Sequence, residues 1–334
     1  MILVTGGTGY IGSHTVVELI QNGFEVVVLD NLYSSDVSVI NSIFEITGVK
    51  VPIEIIDIKD KASVLSLADK YRIEGIIHFA AYKAVNESVV NPVKYYENNV
   101  GGLLNIFQLM DKARCSNLIF SSSCTVYGEV SKVPVDEFFP IQRPFSPYGN
   151  TKKVCEEIMQ DVAKNGVVKS IALRYFNPIG AHPSLLLGDN PKNNDNIMPV
   201  IQKVARGVLP FLQVFGDDYN TPDGSCIRDY VHVVDIATAH VKALKRILDD
   251  KMEKGFEVYN LGSDNGYSVF QLIKTFEEVN NVKITYKIVG RREGDVSQIF
   301  SDSTLAKQKL YWTTQFDLKE MLRSAWERDK KYNE

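Results

Sequence analysis

The sequence predicts an α/β fold, doubly wound around a parallel sheet, with a smaller mixed α/β portion in its second half. Three observations carry this reading. The apolar runs of the first half are strand-sized and continuous, as strands buried on both faces require. Helical stretches separate them, which is the order of a parallel sheet with crossovers. A glycine-rich turn joins the first strand to the first helix. Composition agrees: the 334 residues are 45% hydrophobic and 23% charged. A chain of that size and make-up buries a core without disulfides or structural metal.

The elements follow from periodicity. The first half reads as strand 2–5, helix 11–22 closed by Gly23, strand 24–30, strand 51–57, helix 61–71, strand 75–81, a long helix 95–113 and strand 117–122. Pro147 suits a first helical turn and opens a helix at 147–164. Strand 170–176 and a turn-rich stretch at 177–196 come next. Short strands near 214–215, 230–232, 257–260 and 284–288 then alternate with helices. His78, at the end of an apolar strand, is expected in the core, and Tyr95-Tyr96 as helix packing.

Charge and cysteine usage exclude several classes. Lys plus Arg number 37 and Asp plus Glu 41, a net charge of −4; a phosphate-backbone binder is usually basic, so no nucleic-acid partner is expected. No run approaches the ~18 apolar residues of a membrane span. The strand pattern starts at Ile2 and Gly6-Gly7 interrupts any apolar leader, so no signal peptide is expected. Cys115, Cys124, Cys155 and Cys226 form no C-x-x-C pair, and the five histidines no ligand cluster. A reduced, cytoplasmic protein without metal is expected.

Chemistry enters with Gly6-Gly7-Thr8-Gly9-Tyr10-Ile11-Gly12. Glycine is needed there for a tight turn, for close backbone approach to a pyrophosphate and for helix–strand packing. The helix N-terminus offers free N–H groups to phosphate. Asp30 ends the second strand about 20 residues on, where a carboxylate binds ribose hydroxyls and repels a 2′-phosphate. A Rossmann-like site for NAD, rather than NADP, is predicted.

Tyr148 and Lys152 stand at i and i+4 on one helix face. An ammonium beside a phenol lowers its pKa toward the working range, which suits a general acid or base. Ser121-Ser122-Ser123 ends the fifth strand, where the reactive end of a dinucleotide lies.

With these motifs the chain resembles the extended short-chain dehydrogenase/reductase family, and within it the enzymes that invert C4 of UDP-hexoses. The resemblance runs through nearly the whole chain. Its more specific landmarks are His78-Phe79-Ala80-Ala81, Lys83-Ala84-Val85, Ser121-Ser122-Ser123-Cys124-Thr125-Val126-Tyr127-Gly128, Arg174-Tyr175-Phe176-Asn177-Pro178, Arg228-Asp229-Tyr230-Val231-His232 and Arg291-Arg292-Glu293-Gly294-Asp295. It implies an NAD-dependent isomerase that interconverts UDP-galactose and UDP-glucose through a 4-keto sugar, with NAD held tightly between half-reactions.

By that resemblance Tyr148 is the base, Lys152 holds the nicotinamide ribose and Ser123 bonds the sugar oxygen. The cofactor is contacted by Gly6, Gly9, Tyr10, Ile11, Gly12, Asp30, Asn31, Asp57, Ile58, Phe79, Ala80, Lys83, Asn98, Ser121 and Tyr175. The UDP-sugar meets Lys83, Phe176, Asn177, Asn196, Phe215, Arg228, Tyr230, Arg291, Asp295 and Ile299. Residues 1–175 form the NAD-binding domain, sharing some later strands and helices, and 176–334 the UDP-sugar domain. A homodimer through helices near 95–113 and 147–164 is implied as well.

The chain departs from the family pattern at three places. Asn86 replaces the usual glycine after Lys83-Ala84-Val85, the loop 189–196 looks shorter, and Ile299 stands between the tyrosine and the small residues of relatives. The last leaves acceptance of N-acetylated sugars open. UDP-N-acetylhexosamine or UDP-pentose epimerases therefore remain rivals. A 4,6-dehydratase needs an Asp-Glu pair after Ser123, where this chain has Cys124 and Thr125. A non-catalytic NAD-binding regulator would have no use for a tuned phenol.

Overall fold

The computed structural model describes every residue except 165, 190–195, 293 and 334. Its centre is a seven-stranded sheet built from β1 (Ile2–Thr5), β2 (Val26–Asp30), β3 (Ile53–Ile55), β4 (Gly75–His78), β5 (Asn117–Ser123), β6 (Lys169–Tyr175) and, from the second half, a strand at Phe256–Leu261. All six pairings in the sheet are parallel, with Ile2 opposite Val26 on one side and Gly75 on the other. Numbering the remaining strands in chain order gives β7 (Asn177–Ile179), β8 (Leu212–Phe215), β9 (Ile227–Arg228), β10 (Tyr230–His232), β11 (Phe256–Leu261), β12 (Tyr267–Ser268), β13 (Tyr286–Val289) and β14 (Gln298–Ile299). The sheet order is β11-β6-β5-β4-β1-β2-β3. The order in which strands are added reverses between β4 and β1, the switch point where open α/β sheets bind ligands.

The helices are α1 (Tyr10–Gln21), α2 (Val39–Thr47), α3 (Lys61–Lys70), α4 (Val85–Val90), α5 (Pro92–Tyr95), α6 (Gly101–Ala113), α7 (Pro147–Ala163), α8 (Ile197–Ala205), α9 (Val233–Leu248), α10 (Val269–Asn280), α11 (Thr304–Leu310) and α12 (Leu318–Asn333). Successive strand residues point to opposite faces. Ile2 and Val4 accordingly join a core with Val16, Val17, Ile236 and Leu244 of α1 and α9. Leu3, between them, joins a second core with Val64, Leu67, Leu103 and Ile106 of α3 and α6, and Met159 of α7. A third core gathers Ile201, Val214, Leu272, Phe276, Leu322 and Trp326 from the second half.

Two differences from the sequence reading bear on the site. The helix expected at 95–113 is interrupted: a π turn, Tyr96–Val100, separates α5 from α6. Such turns often mark functional positions. This one turns the Asn99 amide nitrogen to the Tyr82 carbonyl oxygen and Thr151 Oγ1, both at 3.0 Å, so it braces α7. In addition, β5 runs one residue further, to Ser123. The predicted core placement of His78 agrees with the structure: its Nδ1 lies 2.7 Å from Thr5 Oγ1, and burial pushes its pKa down to about 3. Asn86 needs no left-handed backbone, because it sits inside α4.

Candidate active site

The glycine turn closes tightly over the ends of β1 and β4. Gly6 takes φ +70°, and a Cβ there would lie 2.8 Å from the Ala80 nitrogen. A Cβ on Gly12 would lie 2.1 Å from the Gly6 carbonyl oxygen. The α1 N-terminus is capped at Gly9 without a side-chain hydrogen bond, so its first N–H groups face the cradle as phosphate donors do. Asp30 is oriented at the end of β2: its carboxylate accepts from the Thr8 N–H at 3.1 Å and the Leu32 N–H at 2.9 Å. These groups fit a dinucleotide with free ribose hydroxyls.

Around this cradle, Asn31 donates weakly to Asp57, at 3.4 Å. Ile58 is buried against Gly102. Asn98 lies buried in the π turn, donating to Asn99 at 3.0 Å. Lys83 is exposed in the loop between β4 and α4. Tyr10 turns its hydroxyl away to the Gly180 carbonyl oxygen, 2.6 Å off, tying the cradle to the second half. Ile11 and Phe79 pack against the first core, the Phe79 ring 4.6 Å from that of His240.

On the other side of the switch point, α7 leans on the end of β5. Ser146 caps the helix, accepting from the Gly149 N–H at 3.1 Å, and Pro147 opens it. Lys152 is buried and donates to the Ser121 carbonyl oxygen at 2.5 Å, its ammonium 4.7 Å from the Phe120 ring centre and 6.0 Å from that of Tyr148. Tyr175 donates to Ser121 Oγ from the end of β6. Ser123 Oγ accepts from the Thr125 N–H at 3.2 Å and the Thr125 hydroxyl at 3.0 Å.

The electrostatics differ from the sequence expectation. Burial of the Tyr148 phenol oxygen pushes its pKa up to about 12, and a hydrogen bond with Ser123 opposes this only in part. Burial also drives Lys152 down to about 8, against the favourable Cys155 and Glu156. The protein alone therefore does not lower the phenol. Desolvation dominates, and the neighbouring Lys152 ammonium gives its hydrogen bond to the Ser121 carbonyl instead.

The second half brings Arg228 and Ile299 side by side, paired across β9 and β14. Arg228 meets Asp295 at 3.4 Å, and Arg292 binds the same carboxylate at 3.0 Å while its guanidinium lies 5.1 Å from the Phe215 ring. Arg291 turns outward, to Asp218 at 2.8 Å. Asn177 donates to the Asp229 carbonyl oxygen at 2.8 Å. Phe176 and Ile299 share a small buried cluster with Val126, Tyr127 and Val135. Tyr230 packs in the third core. Asn196 is exposed just before α8. The rest of the predicted loop, 190–195, and Glu293 of the arginine motif lie outside the described residues.

The sequence reading missed Thr125 and Arg292 as parts of this arrangement. Thr125 could have been found from its place two residues after Ser123. Arg292 had no signal to separate it from Arg291. Among the described residues no group of His, Cys, Asp or Glu could hold a metal ion, and no helix is long and apolar enough to cross a membrane. All four cysteines are free.

A glycine cradle at a switch point, a carboxylate ending β2, and a Tyr/Lys helix set against a serine-ended strand define an extended short-chain dehydrogenase/reductase. The family described as GDP-mannose 4,6 dehydratase matches residues 3–325. The UDP-glucose 4-epimerase of Pasteurella multocida is 48% identical over 332 residues, 99% of this chain and 97% of that protein. The crystal structure of UDP-glucose 4-epimerase from Stenotrophomonas maltophila, with bound NAD and formylated UDP-arabinopyranose, has TM-score 0.96 and 42% identity, covering 99% of this chain and 98% of that one. That from Bifidobacterium longum, in complex with NAD+ and UDP, has TM-score 0.94 and 40% identity, covering 99% and 98%. The chain belongs to the UDP-glucose 4-epimerase family of the extended short-chain dehydrogenases/reductases.

Proposed function

We infer that this chain is an NAD-dependent isomerase that reversibly inverts C4 of a UDP-hexose, UDP-galactose to UDP-glucose. The observation that carries the reading is Tyr148 and Lys152 on α7 against the serine-ended β5, on the sheet that also holds the glycine cradle. The two residues after Ser123 are Cys124 and Thr125. They replace the acid/base pair that a 4,6-dehydratase needs, and favour epimerisation over elimination.

Gly6, Gly9 and Gly12 would admit the pyrophosphate, Asp30 would take the ribose hydroxyls, and Lys152 and Ser121 would border the nicotinamide end. Bound there, NAD would supply the hydride acceptor and donor that inversion at C4 needs, and a cationic ring beside the site. Tyr148 takes the proton of the 4-hydroxyl and gives it back, with Ser123 bonding the same oxygen. Arg228, with Arg292 beside it, would hold the diphosphate by charge-assisted hydrogen bonds. The anchored nucleotide lets the 4-keto sugar present either face while staying in the site. Residues 1–175 supply the cofactor side of this arrangement and 176–334 the UDP-sugar side.

A second reading concerns sugar size. Ile299, buried in one cluster with Phe176, leaves a UDP-N-acetylhexosamine as a rival substrate. A homodimer is supported by the exposed apolar side chains Val89, Val90 and Val93 beside the helices named for it. Four free thiols suit the reducing cytoplasm.

The test uses purified protein with no NAD added, incubated with UDP-galactose and separately with UDP-N-acetylgalactosamine, with products read by proton NMR. UDP-glucose without net NADH is expected. A 4-keto-6-deoxy sugar, or no product from either substrate, overturns the assignment.

A further inference from the structure

We infer that the buried Glu156–Arg174 ion pair is a positioning device for the reaction centre: it holds Lys152 and the Ser121–Ser123 strand end in register with Tyr148, and it supplies the negative charge that faces the Lys152 ammonium. The inference rests on the reading of Tyr148 and Lys152 given above.

Tyr148, Lys152 and Glu156 recur at four-residue spacing and share one face of α7. Glu156 and Arg174 are 1% and 2% exposed. The Arg174 fork meets the carboxylate with both arms, Nε to Oε1 at 2.9 Å and Nη2 to Oε2 at 2.5 Å. Ser122, between the two serines of the site, donates to Glu156 Oε1 at 2.5 Å. Arg174 Nη1 donates to the Tyr127 hydroxyl at 3.0 Å, and that hydroxyl donates to Asn260 Oδ1 at 2.6 Å. One carboxylate thus joins α7 to β5 and β6, and its partner reaches the turn after β5 and the edge strand β11.

Stability alone is a poor reason for such a pair, because well-packed apolar residues serve a core as well or better. The charges around Lys152 supply another. On its own helix it faces Tyr148, Cys155 and Glu156, on β4 His78, and on β5 the Phe120 ring and the Ser121 carbonyl; from β6, Arg174 binds Glu156 and Tyr175 binds Ser121 Oγ. Burial keeps Tyr148 and Cys155 protonated, each pushed up to about 12, and keeps His78 neutral, down to about 3. Among these groups Glu156 carries the compensating negative charge. Removing it would leave Arg174 a buried cation without its carboxylate and take from Lys152 the negative charge one helical turn away.

The test compares NAD-loaded wild type with Glu156→Gln, Arg174→Lys and the double variant Glu156→Gln/Arg174→Met. The readouts are the pH profile of kcat with UDP-galactose, NAD content and thermal unfolding. Glu156→Gln should lose about tenfold or more in kcat and shift its alkaline limb toward acid by about half a pH unit or more, because Lys152 then loses its proton sooner. The double variant removes both charges and should bring the limb back. Arg174→Lys keeps the charge and loses the fork, so its limb should stay in place while kcat falls. An unmoved limb in Glu156→Gln, with kcat falling only as far as melting does, would reduce the pair to a structural role. Should Glu156→Gln not fold, wild-type kcat in Arg174→Lys overturns the inference. Wild-type turnover in the same assay tests the functional reading separately.

Discussion

The Lys152 ammonium donates a 2.5 Å hydrogen bond to the Ser121 carbonyl oxygen, joining the helix that carries Tyr148 to the strand that ends in Ser123. A buried cation spent on a backbone carbonyl fixes distance rather than charge balance. It sets where the phenol stands relative to Ser123, the serine proposed to meet the same substrate oxygen.

Tyr148→Phe removes the hydroxyl proposed to carry the proton and leaves the ring. Loss of a general acid/base group costs about 10²–10⁴ in rate, so kcat should fall by that range while bound NAD is retained. Turnover by NMR and cofactor content of the denatured protein check both parts. Full activity in the variant would assign the proton transfer to another group.

Gly12→Ala should release the cofactor. The added methyl would meet the Gly6 carbonyl oxygen at 2.1 Å. Overpacking of this kind costs about 1–3 kcal/mol, so NAD affinity should drop roughly ten- to hundredfold. Isothermal titration of the cofactor-stripped protein measures it.

His78→Gln should flatten the acid limb of stability. His78 binds its proton at about 3 in the folded state and near 6.5 when unfolded. Its contribution is therefore fully present above pH ~6.5 and is lost as pH falls toward ~3, at about 1.4 kcal/mol per unit. Urea unfolding of wild type and variant between pH 6.5 and 4 should converge at that rate; parallel curves would contradict it.

Ile299→Ala should widen substrate choice at a cost in stability. The side chain packs with Phe176, Val126 and Val135, and truncating a buried Ile costs about 2–5 kcal/mol. The space left should raise kcat/KM for UDP-N-acetylgalactosamine relative to UDP-galactose by about tenfold. Competition kinetics with both sugars would detect it.

The glycine turn, Asp30 at the end of β2 and the Tyr148/Lys152 spacing were legible because each rests on a local rule: a tight turn, a strand end, a helical repeat. The Glu156–Arg174 pair spans 18 residues and the Tyr127–Asn260 bond 133. No periodicity reports such contacts. The π turn at Tyr96–Val100 was hidden for a related reason, since one extra residue per turn leaves the surrounding helical pattern nearly intact.

Local chemistry in the chain was enough to determine the parallel α/β plan, the phosphate cradle and the paired phenol and ammonium, because backbone sterics and side-chain period act over a few residues. The folded protein alone decided that β11 from the second half would close the sheet beside β6, that Arg292 rather than Arg291 would share Asp295 with Arg228, and that burial would hold Tyr148 protonated despite its neighbour. These depend on desolvation and on contacts between distant segments, which exist only once the chain has packed.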